Sequence, residues 1–338
     1  MSVKFEYINQ WAVVTLQKPR TLNALDLEMV LKIREFLELV KDKSDISGVL
    51  IQSSVKNVFC AGGDIKEVYR WYQENNHKAM VEYIQEEYGL NAYIRSFPKP
   101  IVCIMDGVTL GGGVGLSRYT QYRISTDETV VGMPEVKIAF FPDVGAGYFL
   151  NLLNKSLARF LALTGYTLKG QDLITTGYST DLVSSKNIDV IVNTILAINP
   201  KDLNKTLSMF TTSGASELDS LSLVIECFRY ASLLECMNAL EHCSCPDAEK
   251  IYAEMLNFSP LALHIIWRYM KITRGLNYEA VLKIDLQLAQ SMFDCSDFFE
   301  GIRTRLIDKE DIPRWTKSAL FDVSEQDIEC YFSSIEVL

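Results

Sequence analysis

The sequence predicts an α/β protein with a helical C-terminal region, and three observations carry that reading. Short apolar runs of strand type alternate with stretches of helical spacing over the first half of the chain. Two glycine-rich turns, CAGGD (60–64) and LGGGVG (110–115), each follow a buried strand-like run. From about residue 185 the strands give way to a succession of helical segments.

The elements follow in order. VKFEYI (3–8) and WAVVTL (11–16), around Asn9-Gln10, read as a β-hairpin. In the next segment Leu27, Val30, Ile33, Leu37 and Val40 share one helical face, with Asp26 placed as its N-cap. GVLIQS (48–53) and PIVCIMDG (100–107) are buried strands. Between them lie the loop VKNVFCAGGD and a charged, aromatic-rich helical stretch over about 64–96. YRISTDETVVGMPE (122–135) reads as two short strands, followed by brief helices and glycine turns to about 183. Segments such as SLVIECFRYASLLECMNAL and PLALHIIWRYMKIT are helical, with breakers such as Ser259-Pro260 between them. INPKDLN (198–204) marks the expected boundary, giving an α/β core with the active site over 1–198 and a packed helical region over 199–338. No tandem repeat or low-complexity tract interrupts this order.

Composition bounds the function. The chain has 338 residues, 48% hydrophobic and 22% charged, which is ordinary for a globular protein. A net charge of −10 argues against a nucleic-acid binder, because neutralising phosphates needs excess Lys and Arg. A small anionic ligand needs only a few local cations or helix N-termini. The eight cysteines fall largely inside apolar runs, and HCSC (242–245) lacks a second ligand pair, so no metal site is expected. A reducing compartment is the simplest reading. No charged-then-apolar leader precedes the first strand and no apolar run reaches membrane-spanning length. The expectation is a cytoplasmic protein without a membrane partner, with self-association into a homo-oligomer left open.

Neither glycine turn matches a dinucleotide fingerprint or a phosphate-binding P-loop. No G-x-S-x-G marks a serine nucleophile, and His77 and His264 have no triad partners at readable spacing. A pair of tight turns is the plain alternative. The chemical use of bare backbone is to aim N–H groups from two loops at a developing oxyanion.

The stretches NVFCAGGDIKE, GVTLGGGVGLS, MPEVKIAFFPDVGAGYFL and LALTGYTLKGQDLITTGYSTDLV resemble the crotonase (enoyl-CoA hydratase/isomerase) superfamily, and within it the 3-hydroxyisobutyryl-CoA hydrolase branch. The likeness continues through DFFEGIRTRLIDKEDIPRW (297–315) and so spans nearly the whole chain. The resemblance implies a crotonase-like ββα spiral core and an acyl-CoA substrate, with coenzyme A carried by the substrate and no separate cofactor. It also implies an oxyanion hole formed by the N–H groups of Gly63 and Gly112, the short helix after the glycines pointing its positive end at the oxygen. Each donor is worth ~3 kcal/mol of transition-state stabilisation.

Position 115 separates the chemistries. Hydratases of the superfamily place two glutamates across a water, one just after the glycine run and one twenty residues later. Here those places hold Gly115 and Glu135. A lone carboxylate serves addition across a double bond poorly but suits thioester hydrolysis, as nucleophile or as general base. The resemblance further places Asp143 against the substrate's 3-hydroxyl and Glu87 in contact with the acyl part. Lys18 and Arg20 fall beside the phosphates of coenzyme A, and Ala61, Gly63, Asp64 and Ile65 along its path. Ala146 stands where the branch is expected to have glycine. The bland alternatives are a surface acid for Glu135, a helix N-cap for Asp143 and a solvated helix face for Glu82, Glu86 and Glu87. The expected function is acyl-CoA thioester hydrolysis. A hydratase or isomerase of the same fold is the enzymatic rival, and an acyl-CoA-binding scaffold the non-catalytic one.

Overall fold

Pairing begins with the expected hairpin: β1 (Val3–Ile8) and β2 (Trp11–Leu16) run antiparallel with Ile8 opposite Trp11. Asn9 takes φ of 52° at the turn, a conformation asparagine tolerates better than most residues. The structure, a computed structural model, describes residues 2–309 and 311–335. The remaining strands are β3 (Gly48–Ser53), β4 (Val58–Cys60), β5 (Ile101–Met105), β6 (Val108–Leu110), β7 (Tyr122–Thr126), β8 (Val130–Gly132), β9 (Leu168–Lys169) and β10 (Asp181–Val183). One sheet has the order β1-β2-β3-β5-β7-β10, parallel beyond the hairpin, and a second has the order β4-β6-β8-β9.

Parallel neighbours require crossover connections, and the helix Leu27–Lys41 supplies the one between β2 and β3. Its first turn is capped by Asp26, whose carboxylate accepts the Met29 N–H at 2.8 Å. The central strand β5 is apolar and buried along its whole length, as a strand covered on both faces must be, whereas β3 ends in Gln52 and Ser53 and β7 carries Arg123. Trp11 is fully buried in this core with Leu50, Val102 and Ile124, and its indole N–H donates to the Ile198 carbonyl at 3.0 Å. Glycine at 48 makes room for it, since a Cβ there would stand 2.7 Å from the Trp11 ring.

Compactness divides the chain differently from the expected boundary at 198–204. One unit comprises 1–64, 85–131 and 168–217, and the other 65–84, 132–167 and 218–338. The first holds both sheets. The second is built by the C-terminal helices together with two segments from earlier in the chain. Within it the Tyr72 ring stacks on Phe299 at 3.6 Å, and Phe141 lies 4.9 Å from Tyr269. The helical character expected after residue 199 holds among the described residues. The stretch over 64–96 is two helices, Ile65–Gln73 and His77–Arg95, broken where Asn75 takes φ of 54°. Among the described residues no helix is long and apolar enough to cross a membrane.

Candidate active site

The Gly63 loop is pinned by the segment before the first long helix. Leu25 pairs with Gly63 in a parallel bridge, its N–H donating to the Gly62 carbonyl at 2.8 Å and its carbonyl accepting the Asp64 N–H at 2.7 Å. In a parallel ladder those bonds flank the opposed residue, so the N–H of Gly63 itself is turned to the other side. Gly62 sits at φ of +113°, open to glycine and strained for other residues. Beneath this loop the buried Asn23 donates to the Phe59 carbonyl at 2.9 Å and to Ser53 Oγ at 2.7 Å, and accepts the Lys18 N–H at 2.7 Å.

The second glycine turn meets the first. Gly111 caps the helix Gly112–Arg118 after β6. The N–H groups of a first helical turn have no acceptor in their own helix and are therefore available to other groups. The Gly63 nitrogen lies 3.1 Å from where a Cβ on Gly112 would stand, and the Gly112 nitrogen 3.7 Å from where one on Gly62 would stand. A Cβ on Gly112 would also approach Glu87 Oε1 to 2.2 Å, and one on Gly113 would meet the Cys60 carbonyl at 2.5 Å. The run of glycines is thus a close-approach requirement as well as a turn. Glu87 is 4% exposed, so it does not belong to the solvated face that Glu82 occupies. Gly63, Gly112 and Glu87 are brought together in the first unit. Burial pushes the neighbouring Cys60 thiol up to about 12, which removes it as a nucleophile.

Glu135 and Asp143 belong to the second unit. Glu135 opens a tight 3₁₀ turn, Glu135–Ile138, closed by Ala139 at φ of 56° and by the Phe140 N–H donating to the Glu135 carbonyl at 3.0 Å. Glycine at 301 lets the C-terminal helices approach this turn, since a Cβ there would stand 2.5 Å from the Ile138 carbonyl. Lys137 pairs with Glu254 at 2.7 Å. Asp143 is half-buried. The N-cap of the following helix, Ala146–Phe149, is Gly145. The Asp143 carbonyl accepts the Ala146 N–H at 2.8 Å. The residues between are unusual: Val144 has φ of 50° and Gly145 φ of 84°. A β-branched residue in the left-handed region stores roughly 1–3 kcal/mol, so the surroundings must hold it there. Ala146 itself is buried with an ordinary negative φ, which alanine adopts without strain.

The remaining expected residues are distributed as follows. Lys18 Nζ lies 2.7 Å from both Asp26 and Asp64, and also donates to the Ala24 carbonyl at 3.3 Å. Burial pulls its pKa down, but hydrogen bonds to Asp26 and Asp64 outweigh this and raise it overall. A lysine held between two carboxylates offers no surplus positive charge to a phosphate. Arg20 is exposed on the turn Pro19–Thr21, and Ala61 and Ile65 are half-buried. Three residues that sequence reasoning passed over also matter: Asn23, Tyr269 and Asp285. Asp285 carried a readable signal, a carboxylate on the apolar face of its helix beside Val281 and Leu288.

Two loops that present N–H groups side by side, on a parallel sheet crossed by helices, define a class of acyl-transfer scaffold. The chain belongs to the enoyl-CoA hydratase/isomerase family, whose profile matches residues 11–332. It is 33% identical to the mitochondrial 3-hydroxyisobutyryl-CoA hydrolase of Danio rerio, over 99% of this chain and 90% of that one. It is 34% identical to the Mus musculus mitochondrial protein of the same name, over 96% of this chain and 86% of that one. Among solved structures it is similar to a carnitinyl-CoA dehydratase from Mycobacterium thermoresistibile, with 29% identity, a TM-score of 0.93, and 99% and 97% of the two chains covered. An enoyl-CoA hydratase from Rhodobacter sphaeroides follows at 27% identity and a TM-score of 0.89, covering 98% and 97%. The crotonase-like α/β fold expected from the sequence is therefore the fold of this chain.

Proposed function

We propose that this protein hydrolyses 3-hydroxyisobutyryl-CoA to 3-hydroxyisobutyrate and coenzyme A. One observation carries the catalytic half of that reading. The Gly63 nitrogen stands beside Gly112, with no room for a side chain at 112. Two N–H donors there would share the thioester oxygen as it gains charge, where each is worth ~3 kcal/mol. Glu135 would either attack the carbonyl carbon, expelling the coenzyme A thiolate and leaving a mixed anhydride that water then hydrolyses, or take the proton of a water whose direct attack expels the thiolate. Asp143 would accept the substrate's 3-hydroxyl, and Glu87 would border the acyl group. The names of the curated relatives support the substrate.

Hydration of an enoyl-CoA is a second reading, favoured by the names of the two solved structures. Gly115 weighs against it: this buried helical position carries no carboxylate to partner Glu135. With Lys18 engaged by two acids, Arg20 is the better cation for a phosphate of coenzyme A. A reducing compartment suits eight cysteines that all stand free. The cytoplasm expected from the sequence offers one, but the relatives' names favour the mitochondrion. A thiol-release screen across short acyl-CoA esters tests the assignment. The 3-hydroxyisobutyryl ester is expected to turn over fastest, and a preference for esters without a 3-hydroxyl would defeat it.

A further inference from the structure

The loop that carries Asp143 is held by two buried side chains from far along the chain. The Gly145 N–H donates to Asp285 Oδ2 at 2.7 Å, and the Gly147 N–H donates to Tyr269 Oη at 2.8 Å. The Tyr269 hydroxyl in turn donates to Asp285 Oδ1 at 2.6 Å, closing a chain of three bonds. Both side chains are fully buried. Asn151 adds a fourth point, donating to the Gly147 carbonyl at 2.8 Å and to Thr273 Oγ1 at 3.1 Å. A Cβ on Gly147 would stand 2.5 Å from Tyr269 Oη, so the backbone and phenol are in the closest approach glycine permits.

A buried carboxylate facing a buried phenol needs a reason, because an apolar pair of the same volume packs without desolvating a charge. The reason is on the other end of the bonds. Val144 and Gly145 both hold left-handed backbone, and the groups fixing that conformation are the acceptors on Asp285 and Tyr269. Burial raises the Asp285 carboxyl well above the ordinary range, and its two donors, Tyr269 and Gly145, work in the opposite direction.

We infer that Tyr269 and Asp285 are positioning residues that fix the 143–147 loop and through it the carboxylate of Asp143, and so set the preference for a 3-hydroxyacyl group. The inference rests on the proposed reading of Asp143 as the partner of the substrate's 3-hydroxyl. Neither residue is assigned contact with substrate.

The test uses Tyr269→Phe, which removes the hydroxyl and both of its hydrogen bonds, and Asp285→Asn, which keeps side-chain volume and replaces one acceptor oxygen by a donor, with Asp143→Ala as the reference. Thiol release is measured on 3-hydroxyisobutyryl-CoA and on isobutyryl-CoA, which lacks the hydroxyl, together with thermal unfolding. Each positioning variant is expected to lower kcat/KM on the hydroxy ester by about tenfold while changing the hydroxyl-free ester about twofold or less. In the Asp143→Ala background the same changes are expected to leave the ratio between the two esters unaltered. A variant that loses both activities in proportion to its unfolding behaves as a structural lesion and overturns the inference. So does retention of the parent's ester preference in both variants while Asp143→Ala abolishes it. If Asp143→Ala itself keeps the preference, the reading of Asp143 fails and takes the inference with it, a result distinct from the other two.

Discussion

The two compact units contribute to the proposed chemistry in opposite ways. In the first the working parts are backbone N–H groups, and the sequence achieves them by leaving side chains out at Gly62, Gly112 and Gly113. In the second the working parts are carboxylates on short turns, and distant side chains must be supplied to hold those turns in place. An oxyanion hole made of backbone is as rigid as the sheet and helix that carry it. A carboxylate on a strained loop is only as well aimed as the buried polar groups behind it.

Breaking each region separately shows the contrast. The largest effect is expected at Glu135, where Glu135→Gln should lower turnover by roughly 10²–10⁴ and leave thermal unfolding and CoA-ester binding near the parent's. Stopped-flow thiol release with a binding isotherm checks this. Near-normal release would remove Glu135 from the chemistry.

Gly112→Ala comes next. The Glu87 carboxylate can swing away from a methyl group, but the Gly63 backbone, 3.1 Å from it, has much less freedom. Turnover should fall by about 10²–10³, the loss of one donor. Removing the steric conflict with a second change, Glu87→Ala, should not restore it. If activity falls only as far as stability does, the glycine run is structural alone.

Gly115→Glu introduces a carboxylate into a fully buried helical turn. Hydrolysis of the hydroxy ester should slow by about tenfold from crowding alone, and trace hydration of crotonyl-CoA should appear. Unchanged hydrolysis would show that position 115 lies away from the acyl group.

The smallest effect concerns Lys18. Lys18→Met should change KM for the CoA ester by only about twofold, while Arg20→Met raises it more. Stability should drop by about 1–2 kcal/mol at neutral pH, since Asp26 and Asp64 lose a shared donor. The folded pKa of Lys18 is raised, so its contribution is complete below the ordinary value of 10.5 and is lost as pH rises through the higher folded value. The difference in unfolding free energy between parent and variant should therefore shrink only in strongly alkaline solution. A large KM change with no stability change would make Lys18 a phosphate ligand after all.

The same contrast explains what could be read from the sequence. The hairpin, the Asp26-capped helix and the buried parallel strands follow from local periodicity and capping, and they appear as expected. The two glycine turns were legible because an exception to side-chain occupancy is itself a local signal, and the resemblance to the family singled out Gly63 and Gly112 within them. Glu87 was singled out by the family resemblance alone, because three acids within six residues look alike until the fold buries one of them. The Asp143 loop was legible as a motif but its support was not. Its two anchoring bonds join residues separated by 140 and 122 positions, which no local pattern encodes. The division into compact units was hidden for the same reason: 65–84 and 132–167 join the C-terminal helices only through long-range packing.

A single-carboxylate version of this fold should hydrolyse thioesters and leave double bonds unhydrated. The most direct test gives the unmodified protein 3-hydroxyisobutyryl-CoA and crotonyl-CoA in parallel, following free thiol in the first and loss of the enoyl absorbance in the second. Rapid, saturable thiol release and no enzymatic loss of the enoyl signal are expected. Efficient hydration of crotonyl-CoA with negligible thiol release would contradict the assignment, because glycine at position 115 would then not separate the two chemistries.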